Sequence, residues 1–243
     1  MIYVSLTTIP PRIKNLEKSV YSLLNQSKKP DKIFINIPYK YKRFKEIINN
    51  DQLPKFDDSR IEITRCEDYG SGTKLLGSIN KFTNNSLVVL ADDDNIYADY
   101  MIEKFYYYYS IAPENAYSFY VHPLKRFGVG QGADGFAINC NFLNSIKKFY
   151  DLVVCSNEDL FIHDDLWISF YLFYVKKVKI LSLQSYLKKT KDGLKQLIYT
   201  THNKDGGLIS SYSSNINEAI RKRDKIALKS LEYMSEKIKN IKF

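Results

Sequence analysis

The 243-residue chain is 44% hydrophobic and 26% charged, ordinary values for a globular protein long enough to bury one sizeable core. Its formal net charge of +9 favours anionic partners: nucleotide phosphates, an anionic membrane surface or nucleic acid. No stretch reaches the ~18–20 apolar residues that span a bilayer, and no aromatic-interleaved basic repeat or nucleic-acid motif is present.

Cys66, Cys140 and Cys155 lack the spacing of a zinc site or a disulfide frame and read as reduced packing residues. Met1 to Leu6 lack the basic start and long apolar core of a secretory signal. The expectation is a cytoplasmic protein, soluble or peripherally membrane-associated.

In chain order, Ile2–Leu6 is strand-like and ends at Pro10-Pro11. Leu16, Val20, Leu23 and Leu24 recur at helical spacing up to Lys28-Lys29-Pro30. Lys32–Ile37 reads as a strand, Tyr41–Asn50 as a short helix, Arg60–Thr64 as a strand and Thr73–Phe82 as a helix. The unbroken apolar run Leu87–Ala91 reads as a strand buried on both faces. This alternation predicts a largely parallel sheet with right-handed crossovers.

The second half reads as a helix over Ala98–Ser110, a strand over Ala116–Val121 and a glycine-rich stretch over Phe127–Asn139. Helices follow over Asn141–Tyr150 and Asp159–Val175, with the short apolar Leu152–Cys155 between them, then a strand over Val178–Leu183. Residues 184–215 read as a polar, mobile loop, and Asn217–Lys239 has helical periodicity with a basic outer face. The tyrosine-rich cluster Phe105–Tyr109 reads as half-buried packing, and His122 as structural.

The chemistry concentrates where the apolar strand runs into Asp92-Asp93-Asp94. Ligands of open α/β sheets gather at the carboxyl ends of such strands. Three adjacent acids repel one another unless a cation balances them, and hard oxygen ligands suit Mg²⁺ or Mn²⁺. A second acidic pair, Asp164-Asp165, follows His163 and precedes the single tryptophan, Trp167.

The stretch Leu90-Ala91-Asp92-Asp93-Asp94 resembles the Asp-x-Asp element of nucleotide-sugar-dependent glycosyltransferases of the GT-A fold. Val4–Pro10 is similar to their first strand and turn, Asp68-Tyr69-Gly70-Ser71-Gly72-Thr73-Lys74 to the loop before the helix preceding the acidic strand, and Asp164–Ser169 to their late acidic pair. The style is that of small bacterial and giant-virus enzymes with a triple Asp. The resemblance implies one α/β domain over 1–243: a nucleotide-binding half (1–97), an acceptor and catalytic half (98–183), and a loop with a C-terminal helix (184–243). Its sheet would be Rossmann-like, mixed and mostly parallel, flanked by helices.

It further implies transfer of a sugar from a UDP- or GDP-sugar to a glycan or glycolipid acceptor, with inversion, using Mn²⁺ or Mg²⁺. Asp94 would ligate the metal, Asp92 would touch ribose or the metal indirectly, Asp93 would orient either, and His202 is a candidate ligand. Thr7, Thr8, Arg12, Asp68 and Lys74 would contact base, ribose or phosphate, and Gly70 and Gly72 would let the backbone approach the ligand. Asp134 and Gly135 would meet the donor sugar, and Trp167 either stacks on a sugar or packs in the core. Asp165 is the choice for general base, with Asp164 close behind. The alternatives are a sugar-phosphate nucleotidyltransferase, which usually carries a glycine-rich basic loop absent from Thr7–Arg12, and a non-catalytic basic module for nucleic acid or anionic membrane. No nucleic-acid partner is expected.

Overall fold

The computed structural model describes residues 1–189, 191, 197–202, 212–213, 215–239 and 241–243. Alternating side chains divide the apolar residues of the central strands between two layers. In β1 (Ile2–Thr7), Ile2, Val4 and Leu6 face one layer and Tyr3 the other; in β4 (Leu87–Leu90), Leu87 and Val89 oppose Val88 and Leu90. Both layers are covered by helices, which is why these strands read as continuous apolar runs.

With β2 (Lys32–Pro38), β3 (Ile61–Cys66), β6 (Ala116–Ser118), β9 (Phe136–Asn139) and β10 (Ile180–Ser182), they form a seven-stranded sheet in the order β10-β6-β9-β4-β1-β2-β3. Strands β3, β2, β1 and β4 run parallel, as does the pair β6–β10; β9 is antiparallel to both β4 and β6. The sheet is therefore mixed and mostly parallel, and it draws strands from both halves of the chain. A hairpin of β7 (Val121–Leu124) and β8 (Phe127–Gly130) stands beside it, and β5 (Asn95–Tyr97) pairs with β11 (Tyr199–Thr201).

Helices α1 (Leu16–Leu24) and α3 (Met101–Ile111) cover one face. The other carries α2 (Thr73–Leu76), α4 (Ile146–Phe149), α5 (Glu158–Ile162), α6 (Asp164–Phe170) and the C-terminal α7 (Ile216–Ile238). Among the described residues no helix is long and apolar enough to cross a membrane. Much of the expected 184–215 loop lies outside the described residues; its described part includes β11.

Several elements differ from expectation. Residues 41–49 form no helix: Lys42 N donates to Asp68 Oδ2 (2.6 Å), Arg65 Nη1 to the Ile48 carbonyl (2.8 Å) and Tyr41 OH to the Thr8 carbonyl (3.0 Å), so tertiary bonds hold the segment open. Helix α2 stops at Leu76, before Gly77-Ser78, and the Ser78 hydroxyl turns back to Asn36 Oδ1. Residues 150–154 continue α4 as a π-helical turn. The expected helix over Asp159–Val175 breaks at His163, which has φ −116° and ψ 64°, so Asp164 and Asp165 open a new helix.

Gly70 explains part of that break. It sits at φ +64°, and a Cβ there would lie 1.8 Å from the Phe161 carbonyl oxygen, so only glycine lets this loop touch the end of α5. A Cβ on Gly72 would meet the Trp167 ring at 2.5 Å. Gly70 therefore admits α5 and Gly72 admits α6.

Candidate active site

A buried polar cluster anchors α2 on the sheet. Asn36 Nδ2 donates to Ser5 Oγ (2.9 Å) and the Leu6 carbonyl (3.0 Å), and Ser5 Oγ donates to the Lys74 carbonyl (2.5 Å). Every one of these groups is buried and bonded, which holds the α2 backbone, and with it Lys74, in register against β1 and β2.

The Lys74 ammonium lies between two acidic segments, 2.5 Å from Asp92 Oδ1 and 3.2 Å from Asp164 Oδ2. Burial works against its charge, but Asp164 and Asp92 outweigh it and hold its pKa well above the ordinary lysine value. Lys74 thus bridges the triple Asp after β4 to the acidic pair of α6.

Arg12 serves the other two acids of the triplet. Its Nη1 lies 2.8 Å from Asp93 Oδ1 and 3.0 Å from Asp94 Oδ2, while Thr8 Oγ1 donates to Asp93 Oδ2 at 2.6 Å. Asp93, 5% exposed, is a structural hub, and its carbonyl also accepts from Ser19 Oγ (2.6 Å). Burial and the Asp92 carboxylate push Asp94 up to about 7 despite Arg12.

The loop after β8 closes the site from beneath. Gly132 N donates to Asp165 Oδ1 (2.9 Å), and Tyr97 OH accepts from Asp92 N (2.8 Å) and donates to the Gly132 carbonyl (3.3 Å). A Cβ on Gly132 would lie 2.8 Å from Lys74 Nζ and 3.2 Å from Asp92 Oδ1, so a side chain would push into the bridge. Burial, then the neighbouring Asp164, raises the Asp165 carboxyl well above the usual carboxylate range, with Lys74 opposing.

These groups share one cavity of about 710 Å³, which Thr7, Thr8, Arg12, Asp68, Lys74, Asp92, Asp93, Asp94, Asp164 and Asp165 all line. Asp68 spends both carboxylate oxygens on backbone, accepting from Lys42 N (2.6 Å) and Gly70 N (2.9 Å), and so fixes two loops at the rim. Ser71 Oγ accepts from Asp164 N (3.2 Å).

Three expected donor contacts fall elsewhere. Trp167 is fully buried against Phe149 and Tyr150, so it belongs to the core. Gly135, at φ +77°, packs its α-carbon toward the Phe105 ring and Met101 of α3. Asp134 is 6% exposed and lies behind the cavity wall; burial and Asp92 raise it to about 7.

A test of this burial follows from its sign. Between the unfolded value of 3.8 and about 7, the folded chain keeps a proton on Asp134 that the unfolded chain has lost, so stability falls as pH rises through that window. Asp134→Asn is expected to raise stability at pH 8 by roughly 2–4 kcal/mol, at about 1.4 kcal/mol per pKa unit, and to change little at pH 4. Urea denaturation at the two pH values measures it; an equal effect at both would refute the assignment.

His202 reaches the triplet through β11. Its backbone N donates to the Asp94 carbonyl (2.9 Å), its ring Nε2 bonds Ser19 Oγ (2.8 Å), and its Nδ1 is buried without a hydrogen bond. Among the described residues no three His, Cys, Asp or Glu side chains converge into a metal site by themselves. His202 is not among the residues that line the cavity, so its orphaned nitrogen lies beside the triplet within the protein.

Tyr97, Ser19 and the far wall of the cavity were not singled out from the sequence. Tyr97 lies three residues after Asp94, close enough in sequence to have been suspected. His122, read as structural, lines that far wall.

No protein-family model and no curated protein matches the sequence. Solved structures do. S. aureus TarS 1–349, in complex with UDP-GlcNAc, matches with a TM-score of 0.51 at 10% identity, over 98% of this chain and 74% of that one. The galactosyltransferase LgtC, in complex with donor and acceptor sugar analogues, gives 0.49 at 8% identity over 94% and 96%. Francisella tularensis 2-C-methyl-D-erythritol 4-phosphate cytidylyltransferase, IspD, gives 0.48 at 13% over 80% and 92%. At such identities the likeness is one of fold alone: the chain has a GT-A-like fold, a mixed and mostly parallel sheet between helices, as TarS has.

Proposed function

We propose that the protein is a metal-dependent, inverting glycosyltransferase that moves a sugar from a nucleoside diphosphate sugar to a hydroxyl acceptor. The observation that carries this is the meeting of two acidic segments, Asp92–Asp94 and Asp164-Asp165, in one cavity across Lys74 and Gly132. Thr7, Thr8, Arg12 and Asp68 line the end that takes the nucleotide. The cavity is lined by seven aspartates, Asp68, Asp92, Asp93, Asp94, Asp164, Asp165 and Asp224, against Lys74, Arg12, Arg43 and Arg223, and this surplus of carboxyls favours a divalent cation.

Mn²⁺ or Mg²⁺ would be held through Asp94, with Asp92 and His202 nearby, and would supply neutralising charge to the departing diphosphate. Asp165 removes the proton of the acceptor hydroxyl. Asp164 is less suited, because its Oδ2 already faces Lys74 at 3.2 Å. A raised carboxyl pKa makes Asp165 the stronger base once it is ionised. The turn Pro10–Asn15 is a short 3₁₀ segment without glycine, which disfavours a nucleotidyltransferase-type triphosphate loop.

Isothermal titration with UDP and GDP, with and without Mn²⁺, tests this. One of the two is expected to bind with Mn²⁺ at least tenfold more tightly than without, and Asp94→Ala to abolish that gain. Binding of neither nucleotide, or metal-free binding of oligonucleotides in their place, would refute it.

A further inference from the structure

Against its aspartates the cavity sets four lysine or arginine side chains from the described residues: Arg12, Arg43, Lys74 and Arg223. Three of them are already paired. Arg12 lies against Asp93 and Asp94, Lys74 against Asp92 and Asp164, and Arg223 Nη2 stands 3.2 Å from Asp224 Oδ1. Arg43 has no carboxylate partner among the described residues; its guanidinium lies over the Phe44 ring, 5.4 Å from the centroid.

The segment that carries Arg43 is fixed from two sides. Tyr41 OH donates to the Thr8 carbonyl (3.0 Å), Lys42 N donates to Asp68 Oδ2 (2.6 Å), and Lys42 Nζ lies 4.7 Å from the centre of the Phe161 ring. Thr8 and Asp68 belong to the end of the cavity assigned to the nucleotide, so Arg43 stands at the rim of that end. Its charge is felt on the chain before α7: burial, then Asp159, raise the Tyr212 phenol, and Arg43 and Arg223 draw it back down. Stacking on Phe44 uses the face of the guanidinium and leaves its N–H edge for a ligand.

We propose that Arg43 is the oxyanion anchor of this cavity, receiving a phosphate group that a substrate carries in. The source of that phosphate rests on the glycosyltransferase reading: it is the diphosphate of the donor or a phosphate ester on the acceptor. A surplus of carboxyls repels such a substrate unless it meets positive charge that is not already spent. Of the side chains that line the cavity, Arg43 is the cation that meets this condition. Its planar fork of donors fits two phosphate oxygens at once, which a point charge does not. Arg43 is exposed, so its pull acts partly through solvent and weakens with salt.

The test is titration of the native protein and Arg43→Gln, each with Mn²⁺, using UDP, GDP, uridine and glycerol 1-phosphate. In low salt the variant should bind a nucleoside diphosphate, glycerol phosphate or both about three- to tenfold more weakly, and the difference should shrink in high salt. Uridine should change less than about twofold, since it carries no phosphate. Loss for the diphosphates identifies the donor as the source; loss for glycerol phosphate alone identifies the acceptor. Arg43→Lys should recover part of the loss, because it keeps the charge without the fork. Lys45→Gln removes the same charge from an exposed residue outside the cavity lining, and should leave binding within about twofold. Equal weakening by Lys45→Gln, equal weakening toward uridine, or no weakening toward any phosphate ligand would overturn the proposal. The native protein reports on the wider reading separately. A nucleotide bound equally by it and by Arg43→Gln condemns Arg43 alone. If the native protein binds no nucleotide, the glycosyltransferase reading falls, and the glycerol phosphate titration still decides Arg43, absence of binding there counting against it.

Discussion

Replacing Asp165 by Asn is expected to lower donor turnover, whether to an acceptor or to water, by about 10²–10⁴-fold, while UDP affinity in the presence of Mn²⁺ changes less than threefold. Asn keeps the shape of the side chain and an oxygen to accept from Gly132 N, now at 2.9 Å, so the loop beneath the site should hold its place. What it loses is the capacity to take a proton. Burial and Asp164 raise the Asp165 pKa, so the base becomes competent only as pH climbs above the usual carboxylate range, and kcat/KM of the native protein should rise with pH. In Asp165→Asn that limb should vanish. Asp164→Asn gives the contrast: Asp164 faces Lys74, so its loss should disturb stability and binding together. Near-normal transfer by Asp165→Asn would show that another group takes the proton.

The acid-rich part of the cavity was legible because its signals are local. A four-residue strand buried at every position and ending in three acids has few other uses, and the structure puts those acids on the cavity wall. The β-α alternation of the first half likewise follows from apolar spacing alone. Elsewhere, distant contacts decided the outcome. The apolar period through Leu160, Leu166 and Phe170 runs unbroken across His163, and the break is marked by distant contacts, the approach of Gly70 to the Phe161 carbonyl and the bond from Asp164 N to Ser71 Oγ. Without that break Asp164 and Asp165 would sit mid-helix.

The β7–β8 hairpin was hidden for a similar reason. The strand expected over Ala116–Val121 runs across two separate strands, and the β7–β8 hairpin turns at Lys125, a non-glycine residue at φ +51° with no Asn-Gly or Asp-Gly to announce it. The Asp134-Gly135 dipeptide leads into β9, which pairs with β4 and β6 and not with β8. Trp167 carries no sequence mark that separates a stacking platform from a core residue; its neighbours Phe149 and Tyr150 settle that.

Lys74→Met is the substitution that should cost the fold most through charge alone. Met keeps length and flexibility and adds no new polar group. Lys74 is 5% exposed, and its removal leaves Asp92 and Asp164 facing each other across an apolar thioether. Breaking a buried pair by deleting one partner typically costs about 3–5 kcal/mol, because the remaining charge has lost its solvent and its counterion. In a chain of this size that is a drop in melting temperature on the order of 10 °C.

The sign of its pH dependence separates this from lost packing. Without the ammonium the folded state holds uncompensated negative charge that the unfolded chain leaves in water, so the variant should be less impaired at acid pH than at pH 8. A deficit that stays constant across that range would mean that Lys74 contributes through its methylene chain alone. It would also mean that the acidic triplet and the acidic pair are neighbours without being electrostatic partners, and the single site proposed above would divide into two.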